Sequence, residues 1–168
     1  MISCAFYESP VGTLYLGAGE KGIVFIEFKN ESKFDEQKTK LKKRLKDEFS
    51  EKETPLIKEL KKQLDGYFSG KRKDFDLPIQ MSGTEFQKSV WNQLLTIPHG
   101  ETRSYKQQAE NIGKPKAVRA VANANGDNLI SIVIPCHRVI GANGSLTGYG
   151  GGLDNKQWLL NHENKFNK

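Results

Sequence analysis

The chain has 168 residues, of which 36% are apolar, and this is enough for one ordinary domain or two small ones. A net charge of +6 permits a nucleic-acid partner without demonstrating one. No apolar stretch approaches the roughly 20 residues that span a bilayer, and the N-terminus lacks the pattern of a secretory signal. Two cysteines are too few for a disulfide framework and fit a reducing cytoplasm, and the Cys and His spacings indicate no metal site.

The first half of the chain predicts strands followed by helices. Residues 1–29 contain apolar runs separated by turn signals, which favours a meander of strands. Residues 30–54 are rich in Lys and Glu, and their apolar residues recur at helical spacing as far as Phe49, so we expect an amphipathic helix there. A second helix is expected to follow and to end near Gly66.

The second half predicts short helices after a domain boundary between residues 80 and 81. The segments 84–87 and 104–107 each match a capping box, which marks the start of a helix. Another helix is expected to begin at Pro115 and to be closed by Gly126. Two short helices joined by a turn that contains glycine indicate a helix-turn-helix.

The second helix of that pair carries small side chains, with Arg119 as its one long basic residue. A helix that reads base edges in the major groove needs several long polar side chains. Small residues such as Ala120 would instead let the backbone approach a surface closely, or would simply pack against another helix. Composition alone does not choose between these alternatives.

An apolar run at 129–134 predicts a buried strand, and Cys136, His137 and Arg138 follow it directly. Beyond them we expect a hairpin with Asn143-Gly144 at its tip, a glycine-rich loop, and a last helix capped by Asp154. The end of a strand would hold the thiol of Cys136 at a fixed point, although most free cysteines are simply small buried hydrophobic residues.

A reactive Cys136 would need a base and a group that orients the base, because the thiolate is the nucleophile. His137 is adjacent, but neighbours on a strand point to opposite faces. It could serve Cys136 only if the chain bends at Pro135 or if a water relays the proton. Glu163 is the candidate carboxylate, and residue chemistry alone leaves the reactive and the structural interpretation of Cys136 equally open.

The segment "IPCHRVIGANGSLTGYGGGLDNKQWLLNHE" resembles the signature of the methylated-DNA–protein-cysteine methyltransferases, also called O6-alkylguanine-DNA alkyltransferases. The resemblance continues upstream from "FQKSVWNQLLTIPHGETRSYKQ" and covers the C-terminal half. It implies an α+β protein. Residues 1–80 would form a small α/β support domain with an antiparallel, ribonuclease-H-like sheet, and 81–168 a winged helix-turn-helix-like domain for DNA binding and alkyl transfer.

The resemblance also implies a repair chemistry on double-stranded DNA that contains O6-alkylguanine, in a monomer that uses no cofactor. Cys136 would accept the alkyl group irreversibly, His137 would take its proton through a water, and Glu163 would orient His137. Asn128 would hold the turn at the site, and Tyr105 would donate a proton to the departing guanine. The contacts to DNA and substrate would come from Arg119, Ala120, Val139, Tyr149, Gly150, Gly151, Lys106 and Lys116.

Two other functions fit parts of the pattern. A thiol hydrolase would also use Cys136 and His137, but such enzymes usually draw the histidine from a distant part of the chain and turn over repeatedly. A helix-turn-helix regulator or a non-catalytic lesion binder would not need Cys136. The number of lesions removed per protein molecule separates these alternatives from a single-turnover methyltransferase.

Overall fold

The fold is that of a computed structural model, which describes residues 1–167. The chain divides between Ser82 and Gly83 into two units, each with its own set of internal contacts. The first unit is a sheet with two helices, and the second is mainly helical, so the expected α+β class is confirmed. Within residues 1–167, no helix combines the length and the apolar character that crossing a membrane requires.

Three antiparallel strands form the predicted meander: β1 (Ile2–Ser9), β2 (Gly12–Gly19) and β3 (Gly22–Phe28). The turns between them place Gly12 and Gly22 at positive φ, a conformation that residues with a Cβ rarely adopt. The strands are short and are connected by tight turns, which is why their alternating pattern is legible in the sequence.

The next segment differs from the single long helix expected over 30–54. Helix α1 (Phe34–Leu45) ends because Lys46 takes a left-handed conformation, and its N–H then donates to the carbonyl of Lys42. Phe49 therefore lies in a short strand, β4 (Phe49–Glu51), which pairs in parallel with β1 and completes the sheet order β3-β2-β1-β4. Phe49 stands where the next apolar residue of the helix would fall, so the spacing alone predicted a longer helix.

Helix α2 (Pro55–Phe68) packs on the sheet and is longer than expected. Its N-cap is Thr54, whose hydroxyl accepts a hydrogen bond from the N–H of Ile57. The helix includes Gly66 and ends at Phe68. Its apolar stripe, which includes Leu60 and Tyr67, is completely buried. Burial of this stripe holds the helix against the strands. It outweighs the cost of Gly66, since a glycine in a helix interior costs only about 1 kcal/mol.

The second unit begins with helix α3 (Glu85–Leu94), and both predicted capping boxes are confirmed. Helices α4 (Tyr105–Asn111) and α5 (Val118–Gly126) form the helix-turn-helix. Reciprocal hydrogen bonds of 2.9 and 2.7 Å between buried amides join Gln108 of α4 to Asn125 of α5. Helix α5 begins three residues later than expected, because residues 115 and 116 form a turn and Ala117 is the N-cap.

The apolar run at 129–134 is not the strand that its composition predicted. It folds as a buried turn in which Ile132 has a φ of 71°, and Asn128 ties the turn together by donating to the carbonyl of Ile134 at 3.0 Å. A short apolar run has the same composition in either structure, so periodicity could not distinguish them. The turn leads into a 3₁₀ helix, Cys136–Arg138.

Two short strands, β5 (Arg103–Ser104) and β6 (Val139–Ile140), pair in parallel beside the 3₁₀ helix. The hairpin expected around Asn143-Gly144 is only a turn, because no second strand follows it within the described residues. The last helix, α6 (Leu153–Lys165), has Gly152 at its N-cap. Asp154, the predicted cap, lies in the first turn instead, where its charge still favours the helix dipole.

Candidate active site

Cys136 lies at the start of the 3₁₀ helix and is held by the turn that precedes it. Asn128 donates a hydrogen bond to its Sγ at 3.4 Å, and the same amide group fixes the turn through Ile134. Cys136 is buried, with 9% of its surface exposed, and the Asn128 contact helps to fix its position. A 3₁₀ helix turns by about 120° per residue. The side chains of Cys136 and His137 therefore do not point in opposite directions, as they would if these residues lay in a strand.

His137 is fully buried and contacts Glu163 at 2.6 Å between Nε2 and Oε2. A carboxylate can only accept, so the histidine carries its proton on Nε2 and donates it to Glu163. Nδ1, which then holds a lone pair, has no hydrogen-bond partner among residues 1–167. Burial lowers the pKa of His137 against the pull of Glu163, and the positive charges of Arg138 and Lys156 lower it further.

Glu163 lies near the C-terminal end of α6 and contacts both His137 and Arg138, the second and third residues of the 3₁₀ helix. Arg138 donates to both of its oxygens, at 2.8 and 3.1 Å, and to the carbonyl of Ile97 at 2.7 Å. Burial by itself would raise the pKa of Glu163, but His137 and Arg138 hold it well below its ordinary value. The carboxylate is therefore ionised and fixed in orientation.

Lys156 is a second buried cation on α6. Its Nζ donates to the carbonyls of Val139 at 2.6 Å and Thr147 at 2.9 Å. Burial lowers its pKa, and a thiolate at Cys136 acts in the opposite direction, so the ammonium and the sulfur attract each other. The hydroxyl of Tyr105 donates to the same carbonyl of Thr147 at 3.1 Å, and Lys156 lies 5.9 Å from the centroid of its ring.

Most of the remaining predicted residues lie at or near the surface of the second unit, whereas Val139 is completely buried in β6. Arg119 and Ala120 are exposed on α5, and Lys116 is exposed in the turn before it. Lys106 is exposed on α4. The residues expected to line the pocket lie in the loop before α6, where Tyr149 and Gly151 are half-buried and Gly150 is exposed.

Arg138 and Lys156 are functional candidates to which sequence reasoning gave no role. A signal for Lys156 existed, because it precedes Glu163 by seven residues, or two helical turns, and so shares its face. Arg138 stood in the motif, but nothing in a strand-based interpretation pointed it toward Glu163. Cys4, in contrast, is a buried residue of β1 whose pKa is raised by burial, and this fits a structural thiol.

Two models of known families match the chain. Residues 2–81 match the family model described as "6-O-methylguanine DNA methyltransferase, ribonuclease-like domain". Residues 85–165 match "6-O-methylguanine DNA methyltransferase, DNA binding domain". The fold and the site thus define a protein with a helix-turn-helix unit that holds a cysteine beside a buried histidine–glutamate pair.

Individual relatives extend over nearly the whole chain. A methylated-DNA–protein-cysteine methyltransferase of Methanosarcina acetivorans is 49% identical over 159 residues, which cover 95% of this chain and 96% of the relative. The crystal structure of O6-methylguanine methyltransferase from Mycobacterium tuberculosis matches with a TM-score of 0.84 and 39% identity, covering 98% of this chain and 94% of that one. OGT of the same organism, solved in complex with DNA, matches with a TM-score of 0.83 and 40% identity, covering 98% and 94%. The chain belongs to the methylated-DNA–protein-cysteine methyltransferase family, and it is an enzyme of that class.

Proposed function

We propose that this protein repairs double-stranded DNA by transferring the alkyl group of O6-alkylguanine, mainly O6-methylguanine, to its own Cys136. Each molecule acts once, as a monomer in the cytoplasm, and needs no cofactor. The observation that carries the proposal is the relay of Cys136, His137 and Glu163: a thiol fixed by Asn128, next to a neutral histidine whose Nδ1 can still accept a proton.

The reaction is a displacement at the alkyl carbon. The thiol proton of Cys136 passes through a water to Nδ1 of His137, and the sulfur then forms a bond to the carbon as the bond from carbon to O6 breaks. Tyr105 gives its phenolic proton to the departing guanine. Lys156 stabilises the thiolate, and the thioether that results has no easy route back to a thiol.

The alkylated base must leave the duplex before the sulfur can reach it, which costs a few kcal/mol. Arg119 would fill the space in the base stack and offset part of that cost. The small residues of α5, with Ala120 exposed among them, would allow the helix to lie in the minor groove. Lys106 and Lys116 are exposed cations suited to phosphates, which position a protein without reading sequence.

The pocket for the extruded guanine would be formed by the loop before α6. Tyr149, Gly150 and Gly151 lie in that loop, and the Tyr105 hydroxyl already contacts it through Thr147. Main-chain groups of Val139 and Gly150 would meet the edge of the base. Glycine at 150 and 151 keeps this wall free of side chains, so the backbone can approach the base closely.

The test is the intact mass of the protein after exposure to an excess of duplex oligonucleotide that contains O6-methylguanine. We expect each molecule to gain one methyl group in place of a hydrogen, mapped by peptide analysis to Cys136. Removal of more than one lesion per molecule would reject a single-turnover reaction in favour of a hydrolase.

The matched variants are Cys136→Ala and Cys4→Ala. The first is expected to lose transfer completely and to keep its affinity for duplex DNA, since the helix-turn-helix is untouched. The second is expected to transfer as the wild type does. Methylation that persists in Cys136→Ala would mean that another residue is the acceptor.

A further inference from the structure

We propose that Arg138 is a positioning residue for the relay: its guanidinium holds the Glu163 carboxylate by both oxygens and balances its charge, so that His137 stays neutral and keeps Nδ1 as a proton acceptor. This inference rests on the proposed function, because it concerns how the same site prepares the thiol. It gives a role to the third residue of the Cys-His-Arg motif, which the transfer chemistry itself does not use.

The geometry shows a rigid, two-point contact. Nε and one terminal nitrogen of Arg138 lie 2.8 and 3.1 Å from the two oxygens of Glu163, and the other terminal nitrogen donates to the carbonyl of Ile97 at 2.7 Å. The arginine is thus held at both ends of its planar group and cannot swing away. The same Oε2 that it binds also accepts the hydrogen bond from His137.

The charges explain why this contact matters to His137. Glu163 is almost completely buried, and a lone carboxylate in such a place would draw a proton onto the histidine beside it. An imidazolium already has both of its protons, so it could not take another from Cys136. Arg138 supplies the positive charge instead, and a guanidinium keeps its charge at every relevant pH.

Other polar and titratable groups pack around the pair of His137 and Glu163. Helix α6 contributes Glu163 and a second cation, Lys156, which also disfavours a charged histidine. Cys136 precedes His137 in the 3₁₀ helix. The loop after α3 contributes the buried His99 and the N–H of Gly100, which donates to Glu163. Helix α3, which also packs on the 3₁₀ helix, buries only apolar residues: Val90, Trp91 and Leu94.

The experiment follows the ring nitrogens of His137 by NMR in protein labelled with ¹⁵N-histidine, from about pH 5.5 to about pH 8, where an ordinary histidine titrates. In the wild type we expect a neutral ring with its proton on Nε2 throughout. In Arg138→Met the midpoint of His137 should rise by about one pH unit or more. In the double variant Arg138→Met/Glu163→Gln, which removes both charges, the ring should be neutral again.

Transfer rates provide the second readout. Arg138→Met should transfer about 10- to 100-fold more slowly near pH 7, a part of the 10²–10⁴ that a positioned base contributes. Arg138→Lys keeps the charge but loses the two-point contact, so His137 should stay neutral and the rate should fall less. A purely structural role would lower the rate without changing the titration of His137.

Two results would overturn the proposal: a titration midpoint of His137 that does not rise in folded Arg138→Met, or a charged His137 in the wild type at pH 7. The second applies even where Arg138→Met does not fold. The failure of the proposed function looks different, since wild-type protein that does not become methylated rejects the repair reaction while the histidine titration still tests Arg138.

Discussion

The second unit contains a candidate catalytic relay and a candidate DNA-binding face, and the two are built in opposite ways. The relay is buried, charged and fastened by hydrogen bonds of 2.6 to 3.4 Å, and its side chains are fixed by partners on other elements. The exposed face of α5 presents small residues and one long cation. Chemistry requires atoms at fixed distances, whereas contact with a duplex of any sequence requires only shape and charge.

This contrast predicts that changes in the relay reduce the chemical step strongly, and that changes on α5 reduce only the capture of the base. The largest effect after the loss of Cys136 is expected for Glu163→Gln. An amide leaves Arg138 as a buried, unbalanced charge and no longer holds His137 firmly, so transfer should fall about 10²–10⁴-fold. Unfolding in denaturant should show a loss of about 3–5 kcal/mol. Normal transfer by this variant would remove Glu163 from the mechanism.

Lys156→Met should have the next largest effect. It removes the ammonium donor from the carbonyls of Val139 and Thr147, of which Thr147 keeps the Tyr105 hydroxyl, and it takes away the charge that attracts the thiolate. Transfer should fall about 10- to 100-fold, which corresponds to about 1.4–2.7 kcal/mol. Stopped reactions sampled over time and analysed by mass give the rate.

The matched control for Lys156 is Lys165→Met, which removes an exposed cation from the same helix. It should leave the rate unchanged. Equal losses in both variants would mean that only the overall charge of α6 matters, and would contradict a specific contact.

Arg119→Ala should have a smaller and more selective effect. Repair of duplex DNA should slow about tenfold, or about 1.4 kcal/mol, because nothing then fills the stack. Reaction with the free base O6-methylguanine should not change, since no base has to be extruded. A comparison of the two substrates in one rate assay checks this; unchanged repair of the duplex would contradict the role of Arg119.

Lys116→Ala separates extrusion from simple phosphate contact. Its duplex affinity should weaken equally for modified and unmodified DNA, with a salt dependence that is lower by about one unit of slope. Titrations at several salt concentrations measure this. If Lys116→Ala also lost the preference for the modified duplex, Lys116 would contribute to base extrusion as well, and this would contradict a role limited to phosphate contact.

The smallest expected effect is on stability in mild acid. Because burial lowers the pKa of His137, the unfolded chain binds a proton near the ordinary value of 6.5 while the folded protein does not. The wild type should therefore lose stability as pH falls below 6.5, by up to about 1.4 kcal/mol for each pH unit. His137→Gln lacks this dependence, so the difference between the two proteins should narrow in acid.

Comparing the wild type with His137→Gln also cancels the opposite contribution that Glu27, in the first unit, makes to the pH dependence of stability. Burial raises the pKa of Glu27 to about 7, so this residue favours the folded state as pH falls through 7 toward 4.5. The contribution is the same in both proteins and cancels in the difference. Denaturant unfolding at a series of pH values provides the measurement, and a constant difference would show that His137 is not held neutral.

The amino-acid sequence determined the local structure wherever short-range chemistry is sufficient. The capping boxes at 84–87 and 104–107, the glycine turns of the meander and the helix-turn-helix all follow from hydrogen bonds or conformations within a few residues. The resemblance of the Cys136 motif to a known family supplied the candidate residues. None of these required knowledge of distant contacts.

Tertiary structure decided what depends on residues far apart in the chain. Arg138 contacts the relay because α6 brings Glu163 back to it, 25 residues later. Lys156 is buried for the same reason. Burial turns these charges into strong, specific contacts, and burial is a property of the packed chain that a pattern of residue types does not contain.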